Sequence, residues 1–170
     1  MAEDINKTSL YDDVSDLPPL VKSAVNLARR MDFPSSCVPA QGRLLQILAA
    51  GREGGRIAET GTGCGVGLAW MVSAVSTATR LISVEIDPER AAACRSLFAD
   101  CGNVEILQGD WRQIVPHGPF DLAVLDGGGG GKRRSSTFGG TARFTEQGGI
   151  HDRRGMGVHL KEDPEEQAAR

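Results

Sequence analysis

The chain has 170 residues, 40% hydrophobic and 24% charged, which is room for one globular domain and too little for two of ordinary size. A formal net charge of −3 leaves no whole-chain basic field to hold nucleic acid or an anionic membrane. The first residues, MAEDINKTSL, lack a charged-then-apolar signal pattern, and no stretch approaches the ~20 apolar residues of a membrane helix, so the chain is expected in the cytosol.

Residues 1–17 read as an acidic, flexible lead-in. Pro18 and Pro19 open an apolar-periodic stretch, LVKSAVNLARRM, which predicts a helix. Residues 32–36 form a turn around Pro34, and a second helix is predicted over 40–50, with Leu44, Leu45, Ile47 and Leu48 on its apolar face. GREGG at 51–55 ends it, and the pattern then changes to short strands and helices in alternation. Strands are predicted at 56–60, 81–86, 104–107 and 120–125, with helices at 66–76, 87–100 and 110–115 between them. Asp87 can cap its helix and Pro88 fits the first turn. Four strands with three right-handed crossovers give an α/β fold, a Rossmann-like parallel sheet with helices on both faces, over residues 18–131. Residues 132–170 are polar, without an apolar run or helical stripe, and are expected to form a poorly ordered tail that leaves the sheet incomplete at the C-terminus.

Four chemical signals sit at the carboxyl ends of these strands. Glu59 leads into a glycine loop, Gly61-Thr62-Gly63-Cys64-Gly65, which opens a helix. Glycines let the backbone turn sharply and approach a ligand, and the helix start offers free N–H groups. Glu85 ends the second strand, 20 residues past Gly65, where a carboxylate can accept from both hydroxyls of an adenosine ribose. Gly109-Asp110-Trp111 follows the third strand. Asp110 can cap a helix or accept from an adenine amino group, and Trp111 can enter the core or lie on a ring face. Asp126 ends the fourth strand, as a turn residue or as part of the site. In an open parallel sheet these strand ends border the ligand crevice.

Cys37, Cys64, Cys94 and Cys101 form no CxxC pair and do not interleave with histidines, so they read as free thiols and no metal site is assigned. His117 lies in a loop between Pro116 and Gly118, while His151 and His159 fall in the polar tail. None is given a catalytic role, and Lys132-Arg133-Arg134 reads as a solvated basic run.

The segments ETGTGCGVG, LISVEIDPER, VEILQGDWRQ and FDLAVLDGGGGGK resemble the four successive motifs of class I S-adenosylmethionine-dependent methyltransferases. The nearest branch is similar to bacterial O-methyltransferases related to the catechol and caffeoyl-CoA enzymes, and SSCVPAQGRLLQIL resembles their lead-in helix. The likeness covers roughly residues 33–131. It implies methyl transfer to a hydroxyl of a small molecule. It also implies that Glu59 and residues 61–65 hold the methionine part of the cofactor, that Glu85 and Ile86 hold the ribose and flank the adenine, and that Asp110 and Trp111 bracket the adenine. Asp126, the one catalytic candidate, would lie near the sulfonium and acceptor.

Three departures accompany the resemblance. Asp126 is followed by five glycines, where metal-dependent relatives carry a second aspartate. Gly67 stands where a serine commonly contacts the cofactor carboxylate. The family's remaining helix, Pro-Gly-Gly turn and strands are not recognisable after Lys132. A truncated or shifted reading frame would leave such a tail, and an uncovered fourth strand would favour association, including a homodimer. The alternative is an inactive or truncated methyltransferase-like binding protein. An NAD(P)-dependent oxidoreductase fits less well, because a GxGxxG pattern counted from Gly61 or Gly63 ends on Val66 or Leu68.

Overall fold

The computed structural model describes residues 6–126, together with the backbone of 137–138, 142–143, 149–152 and 157–158. Two helices precede the sheet, α1 (Pro19–Arg30) and α2 (Pro39–Ala50), each starting on a proline whose missing N–H would have no helical partner. α1 buries Val21, Ala24, Val25 and Ala28, one helical stripe. The alternating part follows: β1 (Arg56–Thr60), α3 (Val66–Val72), β2 (Arg80–Glu85), α4 (Pro88–Leu97), β3 (Val104–Gln108), a 3-10 helix (Trp111–His117) and β4 (Leu122–Leu125). Asp87 caps α4, its side chain accepting from the N–H groups of Glu89 and Arg90.

The four strands are parallel in the order β3-β2-β1-β4. β1 and β4 are buried on both faces, as central parallel strands are. Their alternate residues feed two cores. Ile57, Leu81, Ile106 and Val124 face one core with the four α-helices, while Ala58, Ile82, Val84 and Leu125 face the other with Ile114 of the 3-10 helix.

Three expectations are corrected or bounded by these observations. Residues 6–17 are not a free lead-in. A 3-10 turn (Lys7–Tyr11) buries Thr8 and Tyr11, and the Tyr11 hydroxyl donates to the Cys37 carbonyl at 2.6 Å while accepting from Trp70 Nε1 at 3.2 Å. The polarity that suggested mobility is used in hydrogen bonds, including Arg29 Nη2 to the Thr8 carbonyl. α3 ends at Val72 rather than 76, because Ala74 and Val75 bond back to Met71 and Val72 in a tighter turn that keeps both against the core. The expected tail, 132–170, lies outside the described residues except for short strand segments. β5 (Thr137–Phe138) pairs with β6 (Ala142–Arg143). β7 (Gly149–Asp152) runs antiparallel along the free edge of β4 and pairs in turn with β8 (Gly157–Val158). The edge of β4 is therefore covered, and the argument for a homodimer from an open edge falls away.

Candidate functional site

In this strand order β2 lies on one side of β1 and β4 on the other, so the order in which parallel strands are added reverses at β1, and the connections leave a crevice beyond the carboxyl ends of β1 and β4. The glycine loop fills one lip. Gly61 and Thr62 N–H both donate to the Val84 carbonyl, at 2.9 and 3.2 Å, and Gly65 N–H donates to Thr62 at 2.8 Å. Gly63 and Gly65 have φ of +54° and +81°, and a Cβ at either would stand 2.8 Å from the Phe33 ring or 2.7 Å from the Phe98 ring. Both positions therefore demand glycine for backbone shape and for space. Asp126 forms the other lip; it is exposed, and its N–H donates to the Thr60 carbonyl at 3.1 Å.

Glu59 and Ser83 are register partners on β1 and β2, and Glu85 lies two residues further along the same face. The Ser83 hydroxyl lies 2.6 Å from Glu59 Oε2 and 2.6 Å from Thr62 Oγ1, a buried chain of three oxygens. Burial, reinforced by the charges of Asp126 and Glu85 and opposed by the Ser83 hydrogen bond, pushes the Glu59 carboxyl up to about 8. The Cys37 thiol beside them is pushed well above the usual range by burial and then by Asp126 and Glu59.

Glu85 is at the strand end but is not a bare carboxylate. It is 3% exposed. Its Oε2 accepts from Gly63 N–H at 2.7 Å, while Oε1 accepts from Asp87 N–H at 3.0 Å and Arg90 Nη2 at 2.9 Å. Arg90 also lies 5.1 Å from the centroid of Phe33. Beyond Glu85, the side chain of Ile86 is 67% exposed, a large apolar surface at the mouth of the crevice.

Gly109 N–H donates to the Glu85 carbonyl at 2.8 Å and joins the ends of β3 and β2. Asp110 caps the 3-10 helix through Arg112 N–H at 3.0 Å and pairs with the Arg112 guanidinium at 3.0 Å. Trp111 is half-buried against the Ile114 side of the sheet, so it is both core and rim. His117 closes the 3-10 helix, its carbonyl accepting from Arg56 Nη1.

Sequence reasoning missed Ser83, Arg90, Phe33 and Cys37. Ser83 was detectable, since it breaks the apolar run of β2 on the face that Glu59 shares. Arg90 lies on the first turn of α4, five residues past Glu85, while Phe33 and Cys37 approach the loop from elements distant in sequence that no local spacing signals. Among the described residues no group of three or more His, Cys, Asp or Glu side chains could hold a metal ion. A cavity of about 430 Å³, lined by Thr77, Arg80, Asn103 and Glu105, lies at the opposite ends of β2 and β3, away from this chemistry. Among the described residues no helix is long and apolar enough to cross a membrane.

The strand order and site define a Rossmann-like methyltransferase fold, and comparison with known proteins agrees. Residues 58–151, more than half of the chain, match the family described as "Methyltransferase domain", and the chain belongs to that family. It is 33% identical over 114 residues to a catechol O-methyltransferase of Niastella koreensis, covering 61% of this chain and 52% of that protein. The O-methyltransferase TomG of Streptomyces achromogenes, solved in complex with S-adenosylmethionine, superposes with a TM-score of 0.58 at 27% identity, covering 71% of this chain and 58% of that one. An O-methyltransferase of Bacillus cereus, solved with S-adenosylhomocysteine, shares the fold with a TM-score of 0.59 at 22% identity, covering 71% and 60%. The chain thus spans about half the length of the relative matched by sequence.

Proposed function

We propose that this chain binds S-adenosylmethionine in the crevice beyond β1, β2 and β4 and serves a cytosolic O-methyltransferase acting on a hydroxyl of a small molecule. The observation that carries this reading is the convergence of Glu59, Glu85 and Asp126 on the glycine loop from the ends of three neighbouring strands. The residues suit the cofactor: carboxylates for a cationic end, an enclosed carboxylate for hydroxyls, and an exposed apolar side chain for a base.

The cofactor supplies a methyl group already activated on a sulfonium, so the protein's task is alignment and exclusion of water. Residues 61–65 and Glu59 would hold the amino-acid end. Glu85, fixed by Gly63 and Arg90, would accept from the ribose hydroxyls through its remaining lone pairs. Ile86 and Trp111 would enclose the adenine, with Gly109 keeping the backbone close and Asp110 accepting from the amino group. Asp126 would receive the proton of the acceptor hydroxyl. Asp126 precedes five glycines and has no carboxylate neighbour in sequence to complete a cation cage, so no step is assigned to a metal.

The test is turnover. The chain, supplied with S-adenosylmethionine and a panel of catechols and other hydroxyl compounds, is expected to form S-adenosylhomocysteine and a methylated product. Asp126→Asn should lower kcat by about 10²-fold or more, the usual weight of a general base. A folded, cofactor-binding chain that methylates no acceptor would be a binding protein instead.

A further inference from the structure

Tyr11 joins three elements that are far apart in sequence. It is buried, and its hydroxyl donates to the Cys37 carbonyl at 2.6 Å and accepts from Trp70 Nε1 at 3.2 Å. Trp70 stands on α3, three residues past Gly67 and so close to it along the helix surface. Cys37 belongs to a strap, residues 33–38, that links α1 to α2.

That strap lies against the glycine loop at both of its ends. At the first, the Phe33 N–H donates to the Ala28 carbonyl at 2.9 Å, and the Phe33 ring stands 2.8 Å from where a Cβ on Gly63 would be. The Pro34 carbonyl beside it accepts from the Lys7 N–H at 3.1 Å. At the second, Glu59 Oε1 and Cys37 Cβ converge, lying 2.9 Å and 3.9 Å from the position of a Cβ on Gly67. Between them Ser36 is buried, yet its hydroxyl has no hydrogen-bond partner among the described residues and does nothing to hold the strap. Among those residues, the bond from Tyr11 is the only hydrogen bond that ties residues 35–37 to another element.

We propose that Tyr11 is a positioning residue of the crevice: through Cys37 it holds the strap against the glycine loop, so that the amino-acid end of the ligand meets a fixed wall instead of water. This rests on the reading of the crevice as the S-adenosylmethionine site, with that end beside Glu59 and residues 61–65. Without the Tyr11 hydroxyl, the Cys37 carbonyl loses its partner and can regain one only by turning to water, which draws that end of the strap away from Glu59. The Phe33 end keeps its bond to Ala28, so the ribose and base, placed beside Glu85 and Ile86, should register little of the change.

The experiment compares the wild type with Tyr11→Phe in two readouts. The first is calorimetric titration with S-adenosylhomocysteine and with methylthioadenosine, which carries the same nucleoside and thioether but no amino acid. The variant should bind S-adenosylhomocysteine about tenfold more weakly, the weight of one buried hydrogen bond, and methylthioadenosine within about twofold of the wild type. The second is alkylation by iodoacetamide, read site by site by mass spectrometry. It should be several-fold faster at Cys37 in the variant and unchanged at the buried Cys64 and Cys94. A general loosening of the fold would instead speed all of these thiols and weaken both ligands alike. That result, or no change in either readout, would overturn the proposal while leaving the cofactor site intact. Failure of the folded wild type to bind S-adenosylhomocysteine would overturn the site, and the proposal with it. Should Tyr11→Phe not fold, the wild type supplies the second arm. S-adenosylhomocysteine should slow alkylation of Cys37, and methylthioadenosine at equal saturation should not. Equal protection by both ligands, or by neither, would contradict the proposal.

Discussion

Glu59 carries a stability cost that follows from its placement. Its folded pKa, about 8, lies above the ordinary carboxylate value of 4.5, so the folded state binds the proton more tightly than the unfolded chain. Such a group is harmless below about pH 4.5 and increasingly destabilising as pH rises towards 8. Glu59→Gln, which mimics the protonated form, should therefore raise stability at pH 7 by on the order of 3 kcal/mol, with the gain vanishing near pH 4.5; paired thermal melts check this. A second residue-scale expectation concerns Tyr11. Tyr11→Phe strips the Cys37 carbonyl and the Trp70 indole of a shared partner, which costs about 1–3 kcal/mol, seen as a Tm lower by roughly 3–8 °C. Glu59, Glu85 and Asp126 were legible in the sequence because each ends a short apolar strand, and strand ends in a parallel sheet converge. The commitments of Glu85 to Gly63, Asp87 and Arg90 were not, because a carboxylate's partners depend on rotamers that spacing leaves open.

Among the elements, α2 and α3 meet closely at one point. A Cβ on Gly42 would lie 2.1 Å from Trp70 Nε1. Helix propensity alone favours Gly42→Ala by about 1 kcal/mol, but overpacking costs about 1–3 kcal/mol and displaces the indole from Tyr11. The substitution should therefore destabilise. Because Gly42→Ala and Tyr11→Phe both act through Trp70, their costs should sum to more than the double variant shows, which a denaturant double-mutant cycle reads directly. Element types were well marked in the sequence: prolines at the starts of α1, α2 and α4, a glycine after α2, and apolar strands of four to six residues. The docked 3-10 turn at Lys7–Tyr11 was not legible. Its local sequence is polar, and its order comes from Tyr11 reaching Trp70, 59 positions away. β7 escaped for the same reason: Gly-Ile-His-Asp has no strand pattern, and the segment pairs with β4, distant in sequence.

At the scale of the molecule, the parallel strand order β3-β2-β1-β4 gathers the cofactor-site candidates at the carboxyl ends of the four strands. Ligand binding and folding should be linked there. S-adenosylhomocysteine at about 100 times its Kd should add about 2.7 kcal/mol of stability and raise the Tm by roughly 5–10 °C, while NADH should leave it unchanged. The central claim is the identity of the cofactor, and calorimetric titration of the folded chain with S-adenosylhomocysteine, beside NADH, tests it most directly. Saturable micromolar binding of S-adenosylhomocysteine alone, weakened at least tenfold by Glu85→Gln, is the predicted result. Binding of NADH instead, or of neither ligand by a cooperatively folded chain, would contradict it.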